Sequence, residues 1–286
     1  PSHGKKNLAN MPYLIRKARC HYAASATLWL DQGDIPAAGN DLTCLGVAWG
    51  GEDVENLPGV RGKLKGLAGT ERELEAIQKT VAGKFLVSRE ATEANFKHFA
   101  PDFGILHLAL HARALESDPQ ILFPSGGNTG EDGILHFHEL FPLHLNARLA
   151  VLSACETGRG KLIPGEGIQS MSSGFAAAGI PSLLMTLWEV DDVAGGEIMQ
   201  GFYKAIGEGQ AIDLALQNAK LAYLDAATGD KAAPYYWSAF VPMGNMQSLQ
   251  LAAPANAHWQ WLLLAAGIPL CIFIVYRIYS KKRTST

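Results

Sequence analysis

Three apolar runs constrain this chain more than any other feature: DFGILHLAL at 102–110, RLAVLS at 148–153 and SLLMTL at 182–187. Each is nearly continuous rather than alternating. A strand with one wet face alternates apolar and polar side chains, whereas a strand buried on both faces need not. Burial on both faces calls for helices above and below, and helical patterns stand between the runs. The segment LEAIQKTVA carries apolar residues at helical spacing behind Thr70-Glu71-Arg72-Glu73, which reads as a capping box, with Gly83 as the stop. Ala91–Ala100 reads as a helix with Thr92 near its start, and Gly167–Ala178, Val193–Ile206 and Ala211–Leu224 read as three more. Further strands are expected at Asp41–Trp49, at Phe85–Ser88 and near Ser238–Pro242. Strand and helix in alternation predict an α/β fold, a mostly parallel sheet sandwiched between helices. Residues 112–146 break the rhythm with Pro, Gly and Asn and read as a loop carrying a small hairpin around GNTGEDG. Tyr13–Asp31, with a short β-like stretch and a helix, is assigned to the same domain.

Composition narrows the function classes. With 286 residues, 48% of them hydrophobic, the chain has ample material for a core. A net charge of −3 and the lack of any Lys/Arg run before the extreme C-terminus argue against nucleic acid as a partner. The cysteines Cys20, Cys44, Cys155 and Cys271 are scattered and none has CxxC spacing, so neither a disulfide framework nor a zinc site is expected. The first residue is Pro1 and no apolar leader follows it, so residues 1–11 read as the remnant of an upstream region.

The far end carries a different signal. WQWLLLAAGIPLCIFIVY, from Trp259 to Tyr276, contains no charge and precedes Arg277, Lys281, Lys282 and Arg283. A helix needs about 20 mainly apolar residues to cross the hydrocarbon layer, so this stretch is near the short end of the workable range. Trp259, Trp261, Tyr276 and Tyr279 lie at its edges, where amphipathic rings favour the membrane interface. The alternative is a buried core helix with an internal proline, Pro269. The expectation is one transmembrane helix at 259–279, a linker at 247–258 and a basic tail at 280–286. The positive tail would face the cytoplasm, placing the large domain outside it, an orientation that requires an N-terminal export signal.

Reacting groups in open parallel sheets collect beyond the carboxyl ends of the strands. Two residues with nucleophile-and-base chemistry fall there: His111, directly after ILHLAL, and Cys155, directly after RLAVLSA. An imidazole that accepts the thiol proton makes cysteine a competent nucleophile. The glycine-rich ETGRGKLIPGEG that follows permits a turn exposing the sulfur, and the backbone N–H groups of Cys155 and Ala112 are candidates to hold an oxyanion. The plainer reading makes Cys155 a small buried hydrophobe and His111 a hydrogen-bonded core residue. His107 shares a strand face with residue 111 but stops short of the strand end, and is assigned a structural role.

LAVLSACETGRG, GEGIQSMSSGFAAAGIPSLLMTLWEVDD and YYWSAFVPMG, in that order, resemble the CHAT domain, a relative of caspases and separases. FGILHLALHA is similar to that family's histidine strand, LAGTERELEAIQ and EATEANFK to its earlier helices, and YLIRKARCHYAASATLWL to its opening. The resemblance spans residues 12–246 and implies a caspase-like α/β fold with a Cys–His dyad, Cys155 as nucleophile and His111 as base. Where such peptidases often carry a glycine or a small polar residue after the histidine, this chain has Ala112 and then Arg113. Separase-like relatives hold a basic P1 side chain with a carboxylate in the segment resembling LWEVDD, which implies Asp192, or its neighbours Asp191 and Glu189, as that acid. These acids serve equally well as caps for the helix starting near Val193. Family members are often joined to tetratricopeptide-type repeats or await an activating partner. The expected function is cleavage of a protein or peptide substrate, without metal or organic cofactor. The alternatives are a catalytically silent scaffold of the same fold and a thiol hydrolase of small amides or thioesters.

Overall fold

The structure is a computed structural model that describes residues 8–23, 41–51, 53–54, 63–115, 118–124, 130–153, 158, 161–163 and 167–254. In chain order its strands are β1 (Cys44–Ala48), β2 (Gly83–Val87), β3 (Ile105–Ala109), β4 (His111–Arg113), β5 (Gln120–Leu122), β6 (Ile134–His136), β7 (Leu149–Leu152), β8 (Lys161–Ile163), β9 (Gly167–Gln169), β10 (Ser182–Thr186) and β11 (Phe240–Gly244). Its α-helices are α1 (Ala68–Gln78), α2 (Glu93–Phe99), α3 (Met171–Ala177), α4 (Asp192–Gly207), α5 (Ile212–Ala226) and α6 (Pro234–Trp237).

Among the described residues, six strands form the central sheet in the order β11-β10-β7-β3-β1-β2, parallel throughout except for β11, which runs antiparallel to β10. The side-chain period of two sorts each strand onto two faces. Cys44, Ile105, Leu149, Val151 and Leu184 pack against Ile77 of α1, Phe202 and Tyr203 of α4 and Leu216 of α5. Leu45, Val47, Leu106, Leu108, Ala150 and Leu152 face the other way, onto Phe96 of α2, Phe175 of α3 and Ile121 and Leu135 of β5 and β6. Helical cover on both faces is why β3, β7 and β10 read as unbroken apolar runs.

Local chemistry moves several boundaries. The capping box expected at Thr70 is not formed: α1 starts at Ala68 behind Leu67, and Thr70 inside the first turn donates its hydroxyl to the Leu67 carbonyl at 2.7 Å. Gly83 opens β2 instead of stopping α1, because a Cβ there would come 1.9 Å from the Cys44 carbonyl oxygen, closer than any side chain tolerates. The helix expected from Gly167 begins at Met171, since Ser170 and Ser173 cap it reciprocally, and 167–169 pairs with β8 as β9. Thr92 does cap α2, accepting from the Asn95 N–H at 3.1 Å. The irregular stretch 112–146 holds an antiparallel sheet β4-β5-β6, in which the β5–β6 hairpin brackets GNTGEDG. Beside it Lys97 places its ammonium 2.6, 2.9 and 2.7 Å from Glu93, Glu131 and Glu139.

The ends differ from the sequence reading too. Residues 247–252, expected to begin a free linker, are bonded to the domain: Leu42 N–H donates to Gln250, and Ala252 both donates to Leu42 and accepts from Ala82. The first unit runs to Ala252 and the second is Ala253–Thr286, of which only 253–254 are described. The expected transmembrane helix at 259–279 and the basic tail therefore lie outside the described residues, as do 24–31 of the expected N-terminal helix and residues 1–7. Among the described residues no helix is long and apolar enough to cross a membrane.

Candidate active site

The carboxyl ends of β3 and β7 open into a pocket of about 60 Å³ walled by the first turns of α1 and α4. Leu110, His111 and Ser153 come from the strand ends, Thr70 and Glu73 from α1, and Glu189, Asp191 and Asp192 from the approach to α4. Sequence reasoning placed chemistry at this edge, and the topology brings His111 and the three expected acids to one pocket.

His111 follows a bend at Leu110 and opens β4, where Ala112 stands opposite Ile121. Its Nε2 lies 2.8 Å from the Lys65 carbonyl oxygen, and Trp49 meets the ring edge-on with centroids 4.9 Å apart. A carbonyl can only accept, so Nε2 carries the hydrogen and a neutral His111 has its lone pair on Nδ1. The loop carbonyl and the indole thus fix both tautomer and ring plane, and neither was anticipated from sequence. A backbone carbonyl leaves no residue-type signature; Trp49 sits at the end of β1, the strand next to β3, and the parallel register could have pointed to it.

The acids divide the work. Asp191 caps α4, its Oδ1 accepting from Ala194 N–H at 3.1 Å, while Oδ2 lies 3.1 Å from Lys231 Nζ. Partial burial works against its charge, but the Ala194 N–H and the Lys231 ammonium hold its carboxyl below the usual range. Asp192, the first residue of α4, is pushed the other way, by burial first and then by the charges of Asp191, Glu73 and Glu189, with His111 opposing. Gly69 makes room for it, since a Cβ there would come 2.6 Å from Asp192 Cβ. The capping role proposed for these acids therefore belongs to Asp191, and Asp192 is left as a carboxylate among carboxylates.

Glu73 was read from sequence only as a capping-box member. It is nearly buried, and a polar chain runs beneath it. His107 Nε2 is 3.1 Å from Glu73 Oε1, close but not aligned as a directed hydrogen bond. His107 Nδ1 is 3.1 Å from Tyr203 Oη, which in turn meets Cys44 Sγ. Burial pushes the Cys44 thiol up to about 12, with the Tyr203 contact opposing, so it stays protonated. His107 is fully buried, in keeping with its assigned structural role.

Cys155 lies outside the described residues, together with 154, 156 and 157. The chain on either side is anchored at the same sheet edge: Ser153 lines the pocket, and Gly158 N–H donates to the carbonyl of Thr186, the last residue of β10. Among the described residues two groups gather three ligand-type side chains within 4.8 Å, Asp118/His136/His138 and Glu93/Glu131/Glu139. The first is closed by its own bonds, His136 to Asp118 at 2.6 Å and Gln120 to Asp118 at 2.8 Å. The second surrounds the Lys97 ammonium. Neither lines the pocket.

Comparison with known proteins agrees with this architecture. The structure is similar to the Arg-specific cysteine proteinase gingipain R, with a TM-score of 0.50 at 11% identity over 73% of this chain and 47% of that one. It also matches, at a TM-score of 0.48 and 13% identity, the Saccharomyces cerevisiae separase–securin complex, covering 77% of this chain and 13% of the other. The chain thus spans about half the length of the gingipain and a small part of the separase. At 11% identity the likeness to the gingipain speaks for the fold alone, a mostly parallel α/β sheet between helices. No curated protein matches the sequence. The profile of the CHAT domain matches residues 3–245, most of the chain, and the chain belongs to the CHAT domain family.

Proposed function

We propose that this chain is a cysteine endopeptidase in which Cys155 is the nucleophile, His111 its base, and Asp192 the acid that takes a basic P1 side chain. The observation that carries the reading is the fixed imidazole. His111 stands in a pocket at the carboxyl ends of β3 and β7, its Nε2–H spent on the Lys65 carbonyl, with Ser153 two residues ahead of Cys155 in the same wall.

In this mechanism Nδ1 of His111 accepts the proton of Cys155 Sγ and the thiolate attacks the peptide carbonyl carbon. The backbone N–H groups of Cys155 and Ala112 hold the oxyanion, His111 returns the proton to the leaving amine, and water releases the acyl-enzyme. Among the described residues Asp192 has no ion-pair partner, whereas Asp191 has Lys231, so a guanidinium or ammonium entering the pocket relieves the crowding of four carboxylates. Glu189 and Asp191 border that position. An unbiased peptide library offered to the full chain tests the reading. Cleavage abolished by Cys155→Ala and by His111→Ala supports it. Cleavage that survives either substitution refutes the dyad, and protein binding without Cys155 reactivity would favour the silent scaffold.

The uncharged stretch from Trp259 to Tyr276, its flanking aromatic residues and the basic tail support a single membrane span at 259–279, with the catalytic domain on the extracytoplasmic side. Alkaline carbonate extraction of membranes, and protease protection of the domain, test anchoring and sidedness separately. Upstream repeats or an activating partner, common among CHAT proteins, would account for control of the site.

A further inference from the structure

At the β11 edge of the sheet, apart from His111's pocket, the N-terminal segment 13–22 lies over α5, α6 and β11 and lines a half-open cavity of about 320 Å³. That volume is at the lower end of the range for small-ligand sites. Leu14, Ile15, Leu216, Trp237 and Val241 give it an apolar lining, and the one ammonium in its wall is that of Lys220. Lys220 is almost wholly buried, and among the described residues its Nζ meets a single acceptor, the Phe240 carbonyl oxygen, at 2.5 Å. An ammonium has three donors, so two are left without an acceptor among the described residues. Asp213 borders the same cavity, with its Oδ1 accepting from the Leu214 N–H at 2.8 Å and from Arg19 at 3.4 Å and its Oδ2 lying 4.0 Å from His21 Nδ1.

A buried cation with one neutral acceptor is an expensive arrangement, because desolvation is offset by neither a charge nor a full set of hydrogen bonds. Burial accordingly draws the Lys220 amine down to about 8, with Cys20 opposing. A carboxylate reaching Lys220 Nζ would supply both missing acceptors and the missing charge, and an aliphatic tail would cover the lining. We propose that this cavity is a binding site for a small free carboxylic acid with an apolar tail, a medium-chain fatty acid, held through Lys220. The site is independent of the pocket at His111 and of any reading of Cys155.

The test is isothermal titration of the full chain with octanoate and with octan-1-ol, which share the tail and differ in the head. Octanoate binding at least tenfold tighter than the alcohol, with the difference lost in Lys220→Met, is the expected result. Equal or tighter binding of the alcohol overturns the proposal, as does unchanged octanoate affinity in a folded Lys220→Met chain. Should that variant fail to fold, the comparison of acid with alcohol on the natural chain decides alone.

Discussion

Replacing His107 by leucine removes the middle of the polar chain that runs from Cys44 through Tyr203 to Glu73, and its cost follows from the contacts. The leucine fills the space of the ring and suits the face of β3 on which Ile105 lies. What it cannot do is answer the Glu73 carboxylate, whose side chain is 6% exposed and whose Oε1 has His107 Nε2 at 3.1 Å. Leaving a buried carboxylate oxygen without its polar neighbour costs ~1–3 kcal/mol. Glu73 reaches the pocket and its water, which favours the lower end, and Tyr203 Oη loses its imidazole as well. At about 2–4 °C of Tm per kcal/mol for a domain of this size, ~2 kcal/mol lowers Tm by roughly 4–8 °C. Adding Glu73→Leu should return at least half of that loss, because an apolar pair of similar volume needs no compensation. Thermal unfolding of the two single variants and the double variant completes the cycle. A fall under about 2 °C in His107→Leu, or strict additivity in the double variant, would refute the coupling of His107 to Glu73.

Two more expectations follow from the charges. Asp192 has its carboxyl pushed up by burial and by Asp191, Glu73 and Glu189, so the fold binds its proton more tightly than the unfolded chain does. Its contribution is therefore favourable at low pH and is lost as pH rises through the raised pKa. Asp192→Asn should thus raise Tm at pH 7 and do little at pH 4, while cutting selectivity for Arg or Lys at P1 roughly tenfold or more, the equivalent of ~1.4 kcal/mol. Differential scanning at the two pH values and a P1-varied substrate panel report the two effects. Between β5 and β6 partial burial opposes both charges, yet Asp118 holds His136 above its ordinary range, and Gln120 and His136 hold Asp118 below its own. The histidine's share is full below about pH 6.5 and lost as pH rises through its raised pKa; the aspartate's is lost as pH falls through its lowered one. His136→Gln should cost about 1 kcal/mol at pH 5.5 and close to nothing at pH 9, as read by urea unfolding at each pH.

How far the sequence reached depends on what kind of signal each feature leaves. Burial on both faces writes itself into consecutive residues, so β3, β7 and β10 were legible, and with them the sheet edge where His111 stands. A side-chain cap such as Thr92 is local and equally legible. Gly83 was misread because its reason lies across the sheet, in the Cys44 carbonyl beneath it. The helix at Met171 starts late because Ser170 competes with the pattern that precedes it. The sequence could nominate three acids for the pocket but could not divide capping from recognition, since that turns on Lys231, 40 residues away from Asp191. The Lys65 carbonyl at His111 and the burial of Glu73 against His107 depend on tertiary contact alone.

The central claim is that Cys155 is activated by His111, and the most direct measurement is the rate at which Cys155 is alkylated by iodoacetamide as a function of pH, read by peptide mass spectrometry. Cys20, exposed in the same chain, serves as the internal reference, and Cys44 is buried. The account predicts that Cys155 reacts faster than Cys20 at neutral pH, with an apparent pKa below the ~8.5 of an ordinary thiol. It predicts further that His111→Ala abolishes that advantage. Alkylation of Cys155 no faster than that of Cys20, and indifferent to His111→Ala, would contradict it.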